Sequence, residues 1–294
     1  MSPRVEARRG RVSRPAAVAL IALAAVAWWL SVRRMQGMDT GPGVALGALR
    51  WFTATWLLMM AAMMLPAITP AVSAECFPKG TRLRSPRPVC VGAVYIASYL
   101  AVWALAGVAV YLLLAAGDAV AGNAFAWHQG GRWLASAVLA TAAGYQLTAT
   151  KRRWLARCRA PLLRPGAEPV GELGQGARAG LRAGGLCVAS SWALMAVLFA
   201  LGAMSLVWMA VVAALIAAER LAPFASAARI AAAGVLLALA VGVAAAPASV
   251  PGLTLPGSPA AERSMMQMGG TSKGMPTGGA RAPMSSQPDR TMPY

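Results

Sequence analysis

Residues 89–116 read VCVGAVYIASYLAVWALAGVAVYLLLAA, and no charged side chain interrupts the chain between Arg87 and Asp118. As a helix this run exceeds the roughly 20 apolar residues needed to cross a hydrocarbon core. Working outward from it, further apolar segments are readable at 15–32, 44–69, 133–150, 186–203, 205–221 and 228–246. The very brief Gly202–Ser205 connection separates the fifth from the sixth. The expected fold is therefore all-α, a polytopic membrane bundle of about seven transmembrane helices. Composition agrees, with 58% hydrophobic and 12% charged residues and a mean hydropathy of +0.58.

The formal charge is +18, from 27 Lys and Arg against 9 Asp and Glu. These basic residues sit between apolar runs and not on an amphipathic soluble surface, so nucleic acid is excluded as a partner. They act instead as loop charges that set membrane orientation. Most fall in the N-terminal arm, between the second and third segments, or between the fourth and fifth, where Lys151 to Arg182 form a basic linker. That bias puts the N-terminus in the cytoplasm and the C-terminus outside a bacterial inner membrane. The four cysteines, Cys76, Cys90, Cys158 and Cys187, show no CxxC spacing and fall on or near the reducing side, so no disulfide framework is expected. Trp28, Trp29, Trp51, Trp127, Trp133 and Trp208 lie near proposed helix ends, as interfacial belts require.

Three regions result. Residues 1–14 are a basic arm, 15–246 the transmembrane domain, and 247–294 a disordered tail rich in Met, Pro and Gly. The first segment follows an arginine-rich stretch but runs from Trp28-Trp29-Leu30 into Arg33 and Arg34 without a small-residue cleavage site. It reads as a retained helix. The tail's methionines form either a loose soft-metal-collecting arm or an incidental feature of low complexity.

Chemistry concentrates in Trp56-Leu-Leu-Met-Met-Ala-Ala-Met-Met-Leu-Pro66. Met59 and Met63 are four residues apart, as are Met60 and Met64, so each pair shares a helix face, and Pro66 is expected to interrupt the helix beyond them. Thioethers are soft ligands for copper(I), and methionine is equally a common apolar filler.

Three further stretches extend the pattern. Tyr145-Gln146-Leu147-Thr148 leads through Lys151-Arg152-Arg153 to Cys158-Arg159-Ala160-Pro161. Gly185-Leu186-Cys187 runs to Ser191-Trp192-Ala193-Leu194-Met195. Gly202-Ala203-Met204 then leads to Glu219-Arg220-Leu221-Ala222-Pro223. Taken in this order with the methionine block, residues 20–245 resemble the bacterial DUF2182 family of integral membrane proteins with a proposed metal-binding role.

The resemblance implies an inner-membrane protein that handles a metal, copper(I) being the expected cargo, and passes it to a metal-receiving protein. It implies Met59, Met63, Met64, Cys158, Cys187, Met195, Met204 and Glu219 as candidate metal residues. Where the family typically has adjacent cysteines before the last tryptophan, this chain has Ser190-Ser191. A hydroxyl is a much weaker soft-metal ligand than a thiolate. The lysine-flanking cysteine common in the family is likewise replaced here, by Arg153 or Trp154.

The bundle's other partner is the lipid bilayer, and its many small residues fit equally a compact bundle or a homo-oligomer of two copies. Lys151 and Arg159 are expected on phosphate headgroups. Glu219 either fixes a helix end or contacts a metal or proton. Two other readings stay open, a small-solute or ion transporter and a scaffold whose methionines only pack. Catalysis is disfavoured by the lack of a nucleophile–base pair, a phosphate loop or a His-rich centre.

Overall fold

A computed structural model describes residues 14–35, 48–77, 86–121, 130–163, 172–201, 205–221 and 224–247. Within them the chain forms eight α-helices and no strand. In chain order they are α1 (Arg14–Met35), α2 (Leu49–Cys76), α3 (Pro86–Ala121), α4 (Arg132–Leu147), α5 (Ala149–Leu163), α6 (Leu173–Leu201), α7 (Leu206–Leu221) and α8 (Ala225–Ala245). The first 13 residues and those after 247, which include nearly all of the expected tail, lie outside the described residues, as do Trp127, His128 and Met204.

Five of these helices are long and apolar enough to cross a membrane: α1, α2, α3, α6 and α8. The other two apolar helices, α4 and α7, have 16 residues each. At 1.5 Å per residue each covers about 24 Å, short of the roughly 30 Å hydrocarbon core. Their ends bear on the site described below.

Helix α2 is the central element. It runs unbroken through Pro66 and Pro70 to Cys76, so the expected interruption at Pro66 does not occur. Each proline removes one backbone donor, and Thr69 Oγ1 donates to the Leu65 carbonyl at 2.8 Å within the same turn. Helices buried among neighbours tolerate proline because packing and Ser/Thr hydroxyls compensate locally.

The basic stretch is not a linker. Thr148 ends α4 in an extended conformation (φ −67°, ψ 150°). Its Oγ1 accepts from the Lys151 amide at 3.1 Å, the N-cap geometry that starts α5. Helix α6 then begins at Leu173, well before the expected 186. Its early turns place Gly176, Gly180 and Gly184 on one face, against Val91, Tyr95 and Tyr99 of α3. The rising register of both sets shows that α3 and α6 run parallel. The carbonyl of Tyr95 stands where a Cβ on Gly180 would go, so only glycine allows this approach. Arg178 and Arg182 remain exposed on the opposite face.

One end of the bundle is aromatic. Phe52, Trp56, Trp103 and Phe199 pack together, with Trp56 Nε1 donating to the Trp103 carbonyl at 2.8 Å. Trp29, Trp51 and Trp133 are exposed near helix ends, each beneath an arginine at 4.7–4.9 Å. Trp208 departs from the expected belt: it is buried in the core of the bundle.

Candidate metal centre

Met59, Met60, Met63 and Met64 are all buried, because neighbouring helices, α1, α3, α5 and α7 among them, pack against this stretch of α2. Across from them, Cys187 lies about midway along α6 and has no exposed surface. The Cys187 sulfur lies 3.8 Å from Met64 Sδ. The Tyr99 hydroxyl of α3 donates to the same sulfur at 2.9 Å, and Arg220 Nη2 of α7 donates to it at 2.8 Å. Ser191 Oγ is 4.0 Å away, while its shorter bond goes to the Cys187 carbonyl at 2.6 Å. Four helices thus meet at one sulfur atom.

A polar clamp lies beside it, where the short helices α4 and α7 end and α5 packs across the bundle. Lys151 Nζ of α5 donates to Glu219 Oε2 at 2.7 Å and to the Ser190 carbonyl at 2.5 Å, with both charged side chains almost fully buried. Burial pulls the Lys151 ammonium below the usual lysine range, and the Glu219 carboxylate holds it up. Arg159 Nη1 donates to the Glu219 carbonyl at 3.1 Å. Tyr145 of α4 donates to the Ala189 carbonyl, and Arg229 of α8 to that of Gln146.

The expected headgroup role of Lys151 is therefore corrected, since Lys151 is an internal cation. Arg159 is half-buried and has one protein carbonyl partner. Glu219 pairs with Lys151 and not with its neighbour Arg220, since consecutive helical residues point in different directions.

The candidate residues fall into groups. Met59, Met63, Met64, Cys187 and Met195 belong to one buried core cluster. Glu219 is buried in the adjoining clamp. Cys158 is half-buried on α5. Burial raises the Cys158 thiol above its ordinary range, with Arg220 opposing. Met204 lies outside the described residues.

Tyr99, Arg220 and the buried Met209 were not singled out from sequence, while Met60 and Ser190 were noted, as the face partner of Met64 and as a replaced cysteine, but not among the candidate metal residues. The only signal for Arg220 was an arginine placed directly after Glu219 near the end of an apolar segment. Cys76 is a different kind of thiol, pushed up to about 12 by burial and then by the Glu75 carboxylate. Among the described residues no three His, Cys, Asp or Glu side chains gather as a metal site.

Fold and site together define an all-helical bundle, membrane-spanning by helix length and apolarity, with a buried cluster of sulfur and cationic side chains at its centre. A family model described as PpoB2, a copper chaperone, matches residues 53–244, and the chain belongs to that family. The matched region begins just before the methionine block and ends in α8, so it contains every residue of the cluster. No curated protein and no solved structure gives a match. Membership agrees with the copper-handling role that the sequence resemblance implied.

Proposed function

We propose that this protein is an integral inner-membrane copper chaperone that holds copper(I) inside its helix bundle, on Cys187 and Met64, and releases it to a protein partner. The observation carrying this reading is the 3.8 Å separation of Cys187 Sγ and Met64 Sδ within a buried methionine cluster. With metal–sulfur bonds of about 2.3 Å, two sulfurs at that spacing subtend roughly 110° at a shared ion. Thiolate and thioether are the ligand types that select copper(I) over harder ions.

Met59, Met63 and Met195 line the same interior and offer alternative thioethers along the path of the ion. Cys158, half-buried on α5, gives a thiol between the interior and the surface from which transfer to a partner proceeds. Glu219 serves the site indirectly, by neutralising Lys151 and so fixing α5 against α6 and α7. The arginine bias places the N-terminus in the cytoplasm and the α5 end of the bundle on the same side. The role is that of a carrier and not of a catalyst.

Copper stoichiometry of the purified, reduced protein tests this. About one copper(I) per chain is expected for the wild type. Cys187→Ser should lose it, and Met64→Leu should weaken retention against a competing chelator by roughly tenfold or more. Equal copper on wild type and Cys187→Ser would place the ion elsewhere.

A further inference from the structure

The Cys187 sulfur accepts from two donors that the copper(I) reading leaves without a role. Tyr99 Oη of α3 reaches it at 2.9 Å and Arg220 Nη2 of α7 at 2.8 Å, and both side chains are buried. Each donor is held in place. Gly184, one turn before Cys187 on α6, packs so closely on α3 that an added Cβ would stand 3.1 Å from the Tyr99 carbonyl and 2.9 Å from Val102. Arg220 Nη2 also donates to Ser190 Oγ at 3.2 Å, and Ser190 Oγ donates in turn to the Cys187 carbonyl at 3.0 Å. Ser191 adds no third donor, because its hydroxyl hydrogen goes to the Cys187 carbonyl at 2.6 Å.

A cysteine sulfur has one bond to its Cβ and three further directions for lone pairs or a bound atom. Tyr99 and Arg220 fill two of them with hydrogen bonds. The third faces Met64 Sδ at 3.8 Å. A thiolate with two open directions bridges two soft ions. Thioethers for a second copper(I) are at hand, since Met59, Met60, Met63 and Met195 lie in the same buried cluster. The supply of sulfur therefore does not limit the number of ions, whereas the directions left open on Cys187 do.

We infer that Tyr99 and Arg220 are positioning residues that keep Cys187 a terminal ligand, so that the site holds a single copper(I) and builds no copper–sulfur cluster. A terminal ion leaves by exchange of one thiolate bond, while a bridged pair has two to break, so the terminal form suits a carrier that hands its cargo on. This inference rests on the copper(I) reading above and adds to it two residues, neither of them a metal ligand.

The test is loading of the detergent-solubilised protein with excess copper(I) under reducing conditions, then removal of unbound metal, metal analysis and X-ray absorption at the copper edge. Wild type should retain about one copper(I) per chain, with no copper–copper scattering. Tyr99→Phe, which removes only the hydroxyl, should retain about twice as much and show copper–copper scattering, and so should Arg220→Leu. Arg220→Lys, which keeps a donor, should stay at the wild-type value. Adding Cys187→Ser to Tyr99→Phe should abolish the copper–copper scattering.

A gain of metal is not expected from loss of a residue that merely supports the fold, and thermal unfolding of each variant checks folding separately. Wild-type copper content in a folded Tyr99→Phe, or extra copper without copper–copper scattering, would overturn the positioning role while leaving copper binding intact. So would copper–copper scattering in the wild type. A wild type that binds no copper, or a Cys187→Ser variant that binds as well as wild type, would overturn the underlying reading and the positioning role with it.

Discussion

At the residue scale, the buried pair of Lys151 and Glu219 decides whether the site end of the bundle holds together. Removing one partner of a buried ion pair leaves an uncompensated charge, at a cost of about 3–5 kcal/mol. Glu219→Gln should therefore destabilise the detergent-solubilised protein by about that amount in chemical unfolding, and Lys151→Met combined with Glu219→Leu should recover much of the loss. Cys76 gives a second expectation. A thiol pushed up to about 12 stays protonated, and it is the thiolate that reacts. Iodoacetamide at about pH 9 should leave Cys76 unmodified in the folded protein and label it after denaturation, as read by mass spectrometry. The burial of Met59, Met63 and Met64 was legible because four-residue spacing within an apolar run is local information. The role of Arg220 was not legible, because its contact with Cys187 spans two helices and a basic residue at a helix end ordinarily marks the membrane boundary.

At the element scale, the close approach of α3 and α6 brings Tyr99 to Cys187. Helices in a membrane gain little from hydrophobic burial against one another, so close packing through small residues carries more of the association. Gly180→Ala must push the Tyr95 backbone away and should cost about 1–3 kcal/mol in thermal or chemical unfolding. Gly185 is the matched control, with nothing near its absent side chain, and Gly185→Ala should leave stability unchanged or raise it by up to about 1 kcal/mol. Equal losses at both positions would remove packing as the explanation. The apolar helices were legible from hydropathy, including the split of α6 from α7. Helix α5 and the first turns of α6 were not. Their arginines mask the helical pattern, while glycines, which ordinarily weaken a helix, supply the face that packs. A reading weighted towards apolar runs gives such a segment to a loop.

At the scale of the whole molecule, α2, α3, α6 and α7 converge on a single buried sulfur, with the Lys151–Glu219 pair of α5 and α7 beside it. Membership of the copper-chaperone family agrees with the proposal that this convergence serves copper. The bundle and the buried methionines were foreseeable from the order of segments and motifs. The cationic surroundings of the sulfurs arise only when α5, α6 and α7 are brought together in space. The central claim is that copper(I) is held within the bundle by sulfur alone, with Cys187 as its indispensable ligand. X-ray absorption at the copper edge, on the reduced and copper-loaded wild type and its Cys187→Ser variant, tests it most directly. The account predicts a sulfur-only shell in the wild type and its loss in the variant. A shell of nitrogen or oxygen ligands, or a spectrum unchanged by Cys187→Ser, would contradict it.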